Sequence, residues 1–190
     1  VAMLRALNFA DYGTLTVLVN GDEEISSPGS REALAEAGAA HDAVLSFEAT
    51  RSNDDKLSLA TSGIGAVEIR VEGRASHARG INALYELSHQ ILQMRDLSEP
   101  QVGLKLNWTI SQAGTNRNVI PAHARAEADV RVLRVADYDR IEATVRERAK
   151  KQLLPGARVT VNFERRRPPL EATAASRKLA AHAQAIYAEI

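Results

Sequence analysis

The spacing of apolar and polar positions changes period part-way along this chain. Residues 1–9 place apolar side chains at helical intervals until Asp11-Tyr12-Gly13 breaks the run. Residues 14–19 (TLTVLV) are β-branched and almost wholly apolar, which predicts a strand covered on both faces. Ser27, Pro28, Gly29 and Ser30 offer turn and N-cap chemistry ahead of REALAEAGA, a helix expected to end near Gly38. Residues 43–47 form a second apolar run that stops at Glu48. Strand, helix and strand in so short a span predict a βαβ crossover with parallel strands.

The period then becomes two. Residues 63–71, 102–110 and 124–132 alternate apolar with polar, and residues 158–163 form a last short strand. Between them, residues 82–94 carry Leu84, Leu87, Ile91 and Met94 on one helical face, and 137–151 read as a charged amphipathic helix before Pro155-Gly156. The order β-α-β-β-α-β predicts a ferredoxin-like split βαβ, an antiparallel sheet with two helices over one face. The expected fold class is an α/β region with a parallel βαβ unit at 1–62 and an inserted ferredoxin-like α+β domain at 63–168. A helix at 169–190 is expected to return to the first region.

That topology carries chemistry. Parallel strands end on the same edge of their sheet, where open α/β folds bind ligands. Glu23 and Glu24 follow one strand end and Glu48 closes the other, so three carboxylates are expected on one rim. Taken alone, acids beyond a strand are also an ordinary solvated approach to a helix. The 190-residue chain has no cysteine, so any metal must sit on His, Asp or Glu. Its 24 basic and 24 acidic residues cancel, leaving no bulk field for nucleic acid or an anionic membrane. No apolar run reaches the ~18 residues of a membrane span.

Six segments then fall into a known order: VNGDEEISSPGSRE, LSFEAT, TSGIGAVEIRVEGRASHA, NALYE, NVIPAHARAEADVR and RRRPPL. Together they resemble the zinc-dependent exopeptidase and deacylase family of aminoacylase, tripeptide aminopeptidase and glutamate carboxypeptidase, the last being nearest in pattern. The resemblance spans essentially the whole chain. It implies hydrolysis of an amide bond beside a free carboxylate, with C-terminal glutamate as the favoured leaving group, assisted by a pair of zinc ions. On matching positions Glu23 is the general base, and Glu24 and Glu48 are metal ligands. His77 (in RASHA) reaches a partner subunit's site to steady the oxyanion. Asn118 (in NVIPA) binds substrate beside it, Arg131 (in ADVR) clamps the substrate carboxylate, and Arg167 is a further arginine near the domain hinge. Without the resemblance, His77 is a surface histidine in a small-residue loop, Asn118 a turn residue, and Arg131 half of a cross-strand ion pair. His41, His89, His123 and His182 read as surface or cap histidines.

The resemblance also marks departures. The family's first metal histidine and bridging aspartate match nothing from Val1 onward, and its last histidine falls beyond Ile190. This chain by itself is therefore expected to be inactive, with at most a partial metal complement. Ser26 stands where the family carries glycine, and the loop after His77 is shorter than in relatives. The expected partners are a second copy, docked through the edge strand and the 82–94 helix of the inserted domain, and a small peptide or N-acyl amino acid. An N-acyl-amino-acid deacylase or dipeptidase of the same fold, or an isolated dimerisation module, are the alternatives.

Overall fold

In a computed structural model, described for residues 2–25, 27–48 and 56–189, the chain divides into two units, Val1–Lys56 and Leu57–Ile190. The first unit holds helix α1 (Ala2–Ala6), a 3-10 turn at Glu23–Ile25 and helix α2 (Arg31–Ala39). Helix α2 falls where the sequence expects it. Ser30 precedes it but makes no side-chain cap bond, because its hydroxyl is spent on Asp22. The parallel pair expected at 14–19 and 43–47 is not formed among the described residues. Strands apolar on both faces need cover on both faces. This unit offers one nine-residue helix, and Val19 and Phe47 stand 90% and 89% exposed.

The second unit is the ferredoxin-like domain that the alternating pattern predicts. Strand β1 (Gly63–Glu72) leads to helix α3 (Ala83–Gln93), strands β2 (Lys105–Ala113) and β3 (His123–Val132), helix α4 (Val135–Ala149) and strand β4 (Arg158–Arg167). The sheet order is β2-β3-β1-β4, antiparallel throughout. Helix α5 (Ala174–Tyr187) follows within this unit, capped by the Thr173 hydroxyl on the Ser176 N–H.

One face of the sheet is dry. Val67, Ile69 and Val71 of β1 and Ala124, Ala126, Ala128 and Val130 of β3 are buried against Leu87, Tyr138, Ile141 and Val145 of the two helices. The other face carries Glu68, Arg70, Arg125, Glu127, Asp129 and Arg131, as period-two alternation requires. Strand β2 begins later than its apolar pattern suggests. Pro100–Val102 forms a 3-10 turn, and Gly103 follows at φ 75°, a left-handed conformation that suits glycine. Strand β4 runs past Phe163 to Arg167, because pairing with β1 needs backbone rather than apolar side chains.

A buried carboxylate joins the helices to the turn before β4. Glu86, fully buried on α3, accepts the Leu153 and Leu154 N–H groups at 2.9 and 2.7 Å and the Gln90 amide at 2.7 Å. His89, Gln90 and Gln93 all face the Lys151 carbonyl just beyond α4, which makes His89 a cap histidine. Buried Asp137 accepts Arg134 and Arg140, and the Arg134 bond leads in holding its carboxyl below the usual range against the opposing effect of burial. Glu86→Gln replaces one acceptor oxygen with a donor facing N–H groups. It is expected to cost about 1–3 kcal/mol, read from the shift in urea midpoint at constant m.

Candidate functional site

In the first unit the chemistry gathers in residues 20–30. Glu23 and Glu24 occupy the short 3-10 turn and are exposed. Successive residues there leave the backbone roughly 120° apart, so the two carboxylates start in different directions and can face different atoms. Beneath them lies Asp22, which the sequence reading passed over. Its carboxylate accepts the Gly29 and Ser30 N–H groups at 2.7 and 3.2 Å and the Ser30 hydroxyl at 2.5 Å. Those bonds, the Ser30 hydroxyl first, hold its carboxyl below the ordinary carboxylate range. The cue in the sequence was the S-P-G-S turn following D-E-E, a set of donors placed to fold back on an acid. Ser26 lies outside the described residues. Glu48, exposed, ends the described part of its segment. His41, with ring contacts to the Ala37 carbonyl and the Thr16 hydroxyl, closes the C-terminal end of α2 as a cap histidine.

In the second unit the candidates form two groups. The first stands beyond the end of β1. Ser76 pairs with Ile120, and the Ile120 N–H donates to the Ser76 carbonyl at 2.8 Å. That bridge brings the His77 loop beside the Asn118 turn, with both side chains exposed. The Ser76 hydroxyl accepts the Ala78 and Arg79 N–H groups at 3.1 and 2.9 Å, so the short loop is wound around one serine. Arg74 and Ile81 close its base with paired backbone bonds of 2.9 and 3.0 Å. An open groove of about 640 Å³ adjoins this end, lined in part by Arg70, Gln112, Asn116, His123 and Arg125.

The second group lies at the other end of the sheet. Ile64 is flanked by Arg131 on β3 and Arg167 on β4, and Lys105 of β2 stands opposite Arg131. Three cations thus form one cross-strand row on the polar face, and Lys105 is a member that the sequence reading did not single out. Asp129 balances Arg131 at 2.9 Å. The Arg167 carbonyl accepts the buried Tyr138 hydroxyl at 2.8 Å, and its guanidinium reaches the Ser62 carbonyl at 3.4 Å. From residue 123 to residue 131 strand β3 climbs roughly 26 Å. The His77 and Asn118 group and the arginine row are therefore held far apart within one chain.

Among the described residues no group of three or more His, Asp or Glu side chains stands together as a metal site. Glu24 and Glu48 are two carboxylates and by themselves do not fit a zinc ion, which takes at least three protein ligands at a catalytic centre.

The profile of the peptidase dimerisation domain matches residues 59–157, which takes in β1 through α4 and the turn before β4. The chain belongs to that family. It is also 44% identical over 192 residues to carboxypeptidase G2 of Pseudomonas sp. (strain RS-16). That match covers 98% of this chain and 46% of the relative, so the chain spans about half the length of the protein it resembles. Among solved structures, a putative aminohydrolase from methicillin-resistant Staphylococcus aureus aligns at TM-score 0.58, with 18% identity, over 64% of this chain and 35% of that one. Aminopeptidase PepT of Bacillus cereus aligns at 0.56, also with 18% identity, over 64% and 34%. A dinuclear metal binding peptidase of the M20 family from Bacillus subtilis aligns at 0.50, with 20% identity, over 67% and 32%. At these identities the structural matches speak for the fold.

The loop that carries His77 is tightly built. A Cβ on Gly80 would run into the Arg74 carbonyl and crowd Ile120 and Ser76 at 3.1 and 3.2 Å. Gly80→Ala is expected to break the Arg74–Ile81 closure and lower stability by about 1–3 kcal/mol. Faster amide exchange at Ile81 and Ile120 than in the parent would report the same opening.

Proposed function

We propose that the protein carrying this chain is a zinc-dependent carboxypeptidase that hydrolyses the amide bond before a C-terminal glutamate. The observation that carries this reading is the cation row of Lys105, Arg131 and Arg167, taken with the 44% identity to carboxypeptidase G2. A guanidinium receives a carboxylate with two parallel hydrogen bonds, and a row of cations suits a substrate bearing more than one carboxylate. Arg131 and Arg167 hold the leaving amino acid. Glu23 takes a proton from the attacking water. Glu24 and Glu48 are this chain's contribution to a metal pair whose other ligands are not among the described residues. The division into catalytic-domain segments at 1–62 and 169–190, with a lid at 63–168, belongs to the same proposal.

His77 and Asn118 complete the reading only if a second chain is present. One small substrate cannot bridge the separation between them and the arginine row, so His77 and Asn118 of one copy serve the arginines of another. There the His77 N–H donates to the oxyanion of the tetrahedral intermediate, and Asn118 binds substrate beside it. The two edges of the sheet support such pairing unequally. Strand β2 carries one charge, Lys105, whereas β4 carries Arg158 and the run Glu164-Arg165-Arg166-Arg167. Charged edge strands resist addition and sparsely charged ones accept it. Beside β2, helix α3 exposes Leu84, Ser88 and Leu92 on one stripe, with Leu84 and Leu92 at 42% and 60%. The homodimer forms through β2 and α3.

The whole protein is expected to release glutamate from a folate-like conjugate, and a chelator is expected to abolish the release. Chelator-insensitive turnover sinks the metal half of the reading, and preference for N-acyl amino acids over the conjugate sinks the substrate half. The 190-residue chain alone is expected to bind less than one metal ion and turn nothing over. Sedimentation of the chain is expected to give a dimer, and Leu92→Glu a monomer with an unchanged circular dichroism spectrum. A dimer that survives Leu92→Glu argues against the α3 surface.

A further inference from the structure

Residues 20–30 have little apolar material to hold them in shape, since Ile25 is 71% exposed and none of the described residues of the loop is fully buried. Hydrogen bonds must fix this loop, and four of those described meet at Asp22. The Asp22 carbonyl accepts the Ser27 N–H at 2.8 Å, which closes the turn that contains Glu23 and Glu24. Ser27 passes that closure at φ 52°, a left-handed conformation that a loose loop would not hold. The Asp22 side chain meanwhile accepts the Gly29 and Ser30 N–H groups and the Ser30 hydroxyl. Asn20 adds its amide to the Ser27 and Ser30 hydroxyls at 3.1 and 3.3 Å. Asp22 thus spans the turn twice, once with its backbone and once with its side chain.

Among the described residues neither the Glu23 nor the Glu24 carboxylate is held by a hydrogen bond or an ion pair, and both residues stand exposed in the 3-10 turn. The backbone sets the direction in which each side chain leaves the turn, and that backbone is tied by Asp22. We infer that Asp22 is the positioning residue of the Glu23 and Glu24 pair, fixing the backbone from which both side chains project by tying the turn to the start of α2. The inference rests on the functional reading above, in which those two glutamates act on one reaction. The Asp22 carboxylate is already occupied by three donors, so it serves as an anchor and leaves the chemistry to its neighbours.

The test compares Asp22→Ala and Asp22→Asn with the parent, in the whole protein that carries this chain, on the same folate-like conjugate. Asp22→Ala is expected to lower kcat by about 10- to 100-fold, with KM held within about twofold. Asparagine can accept the Gly29 and Ser30 N–H groups through its oxygen and donate to the Ser30 hydroxyl. Asp22→Asn is therefore expected to recover most of the lost kcat, which a reacting or metal-binding carboxylate would not allow. Should Asp22→Ala fail to fold, Ser30→Ala removes the shortest of these bonds and is expected to lower kcat in the same direction by a smaller factor. An unchanged kcat in Asp22→Ala, or Asp22→Asn as inactive as Asp22→Ala, overturns the positioning role. A parent protein without chelator-sensitive turnover overturns the functional reading instead, so the two failures are distinct.

Discussion

Everything in the larger unit depends on the register between β1 and β3. Every residue of β1, from Gly63 opposite Val132 to Glu72 opposite His123, is paired without a shift. A slip of β1 by one position would carry Glu68 and Arg70 under the helices and push Val67 and Ile69 into water. The dry face therefore selects this register strongly. It does so against a local cost, because Glu68 stands opposite Glu127 and Arg70 opposite Arg125. Like charges directly across a ladder repel. Each finds relief within its own strand, Arg70 on Glu68 at 2.7 Å and Arg125 on Glu127 at 3.4 Å. These exposed pairs ease the repulsion and contribute little net stability.

The same register decides where polar chemistry can stand. Since β1 and β3 run in opposite directions, the loop leaving β1 and the turn entering β3 meet at one end, and this sets His77 beside Asn118. At the other end Arg131 and Arg167 fall on either side of Ile64. Small residues make the arrangement firm. Ala124, Ala126 and Ala128 lie under the helices, and Glu86 locks α3 to the turn before β4 through backbone donors. Removing one partner from such a buried network strands the others without water, which is why it behaves as a fixed point rather than a loose contact.

Much of this was legible in the chain. Alternation at 63–71 and 124–132 located β1 and β3, because one-sided burial leaves a period that can be read directly. The 82–94 stripe located α3 but not all of its inner face, since Leu84 stands exposed and Glu86 and Gln90 are buried beside Leu87. The errors have physical causes. Val102, Leu104 and Leu106 look like one alternating strand, yet Val102 packs on the core from a 3-10 turn and the ladder begins only at Lys105. The TLTVLV and AVLSF runs satisfy every local preference for a strand, but pairing and cover are not local properties, and the described residues of the small unit supply neither. Roles for His77, Asn118 and Arg131 came from resemblance, since alone each is an unremarkable surface residue. Asp22 was missed because it reads as one more acid in D-E-E. Its partners, Gly29 and Ser30, become neighbours only once the loop closes.

The unequal edges of the sheet limit what any assembly of this domain can become. An edge that accepts a strand can, in principle, keep accepting them, as fibres do. Here a sparsely charged β2 lies on one side of the sheet and the arginine-rich β4 on the other. When two β2 edges meet about a twofold axis, each copy uses its only receptive edge on the other, and the contact is self-complementary. The outward borders of the pair are then two β4 strands, both hostile to further addition. In the β2 pairing proposed above, growth would end at two copies by the geometry of the sheet itself, with no additional element required to stop it.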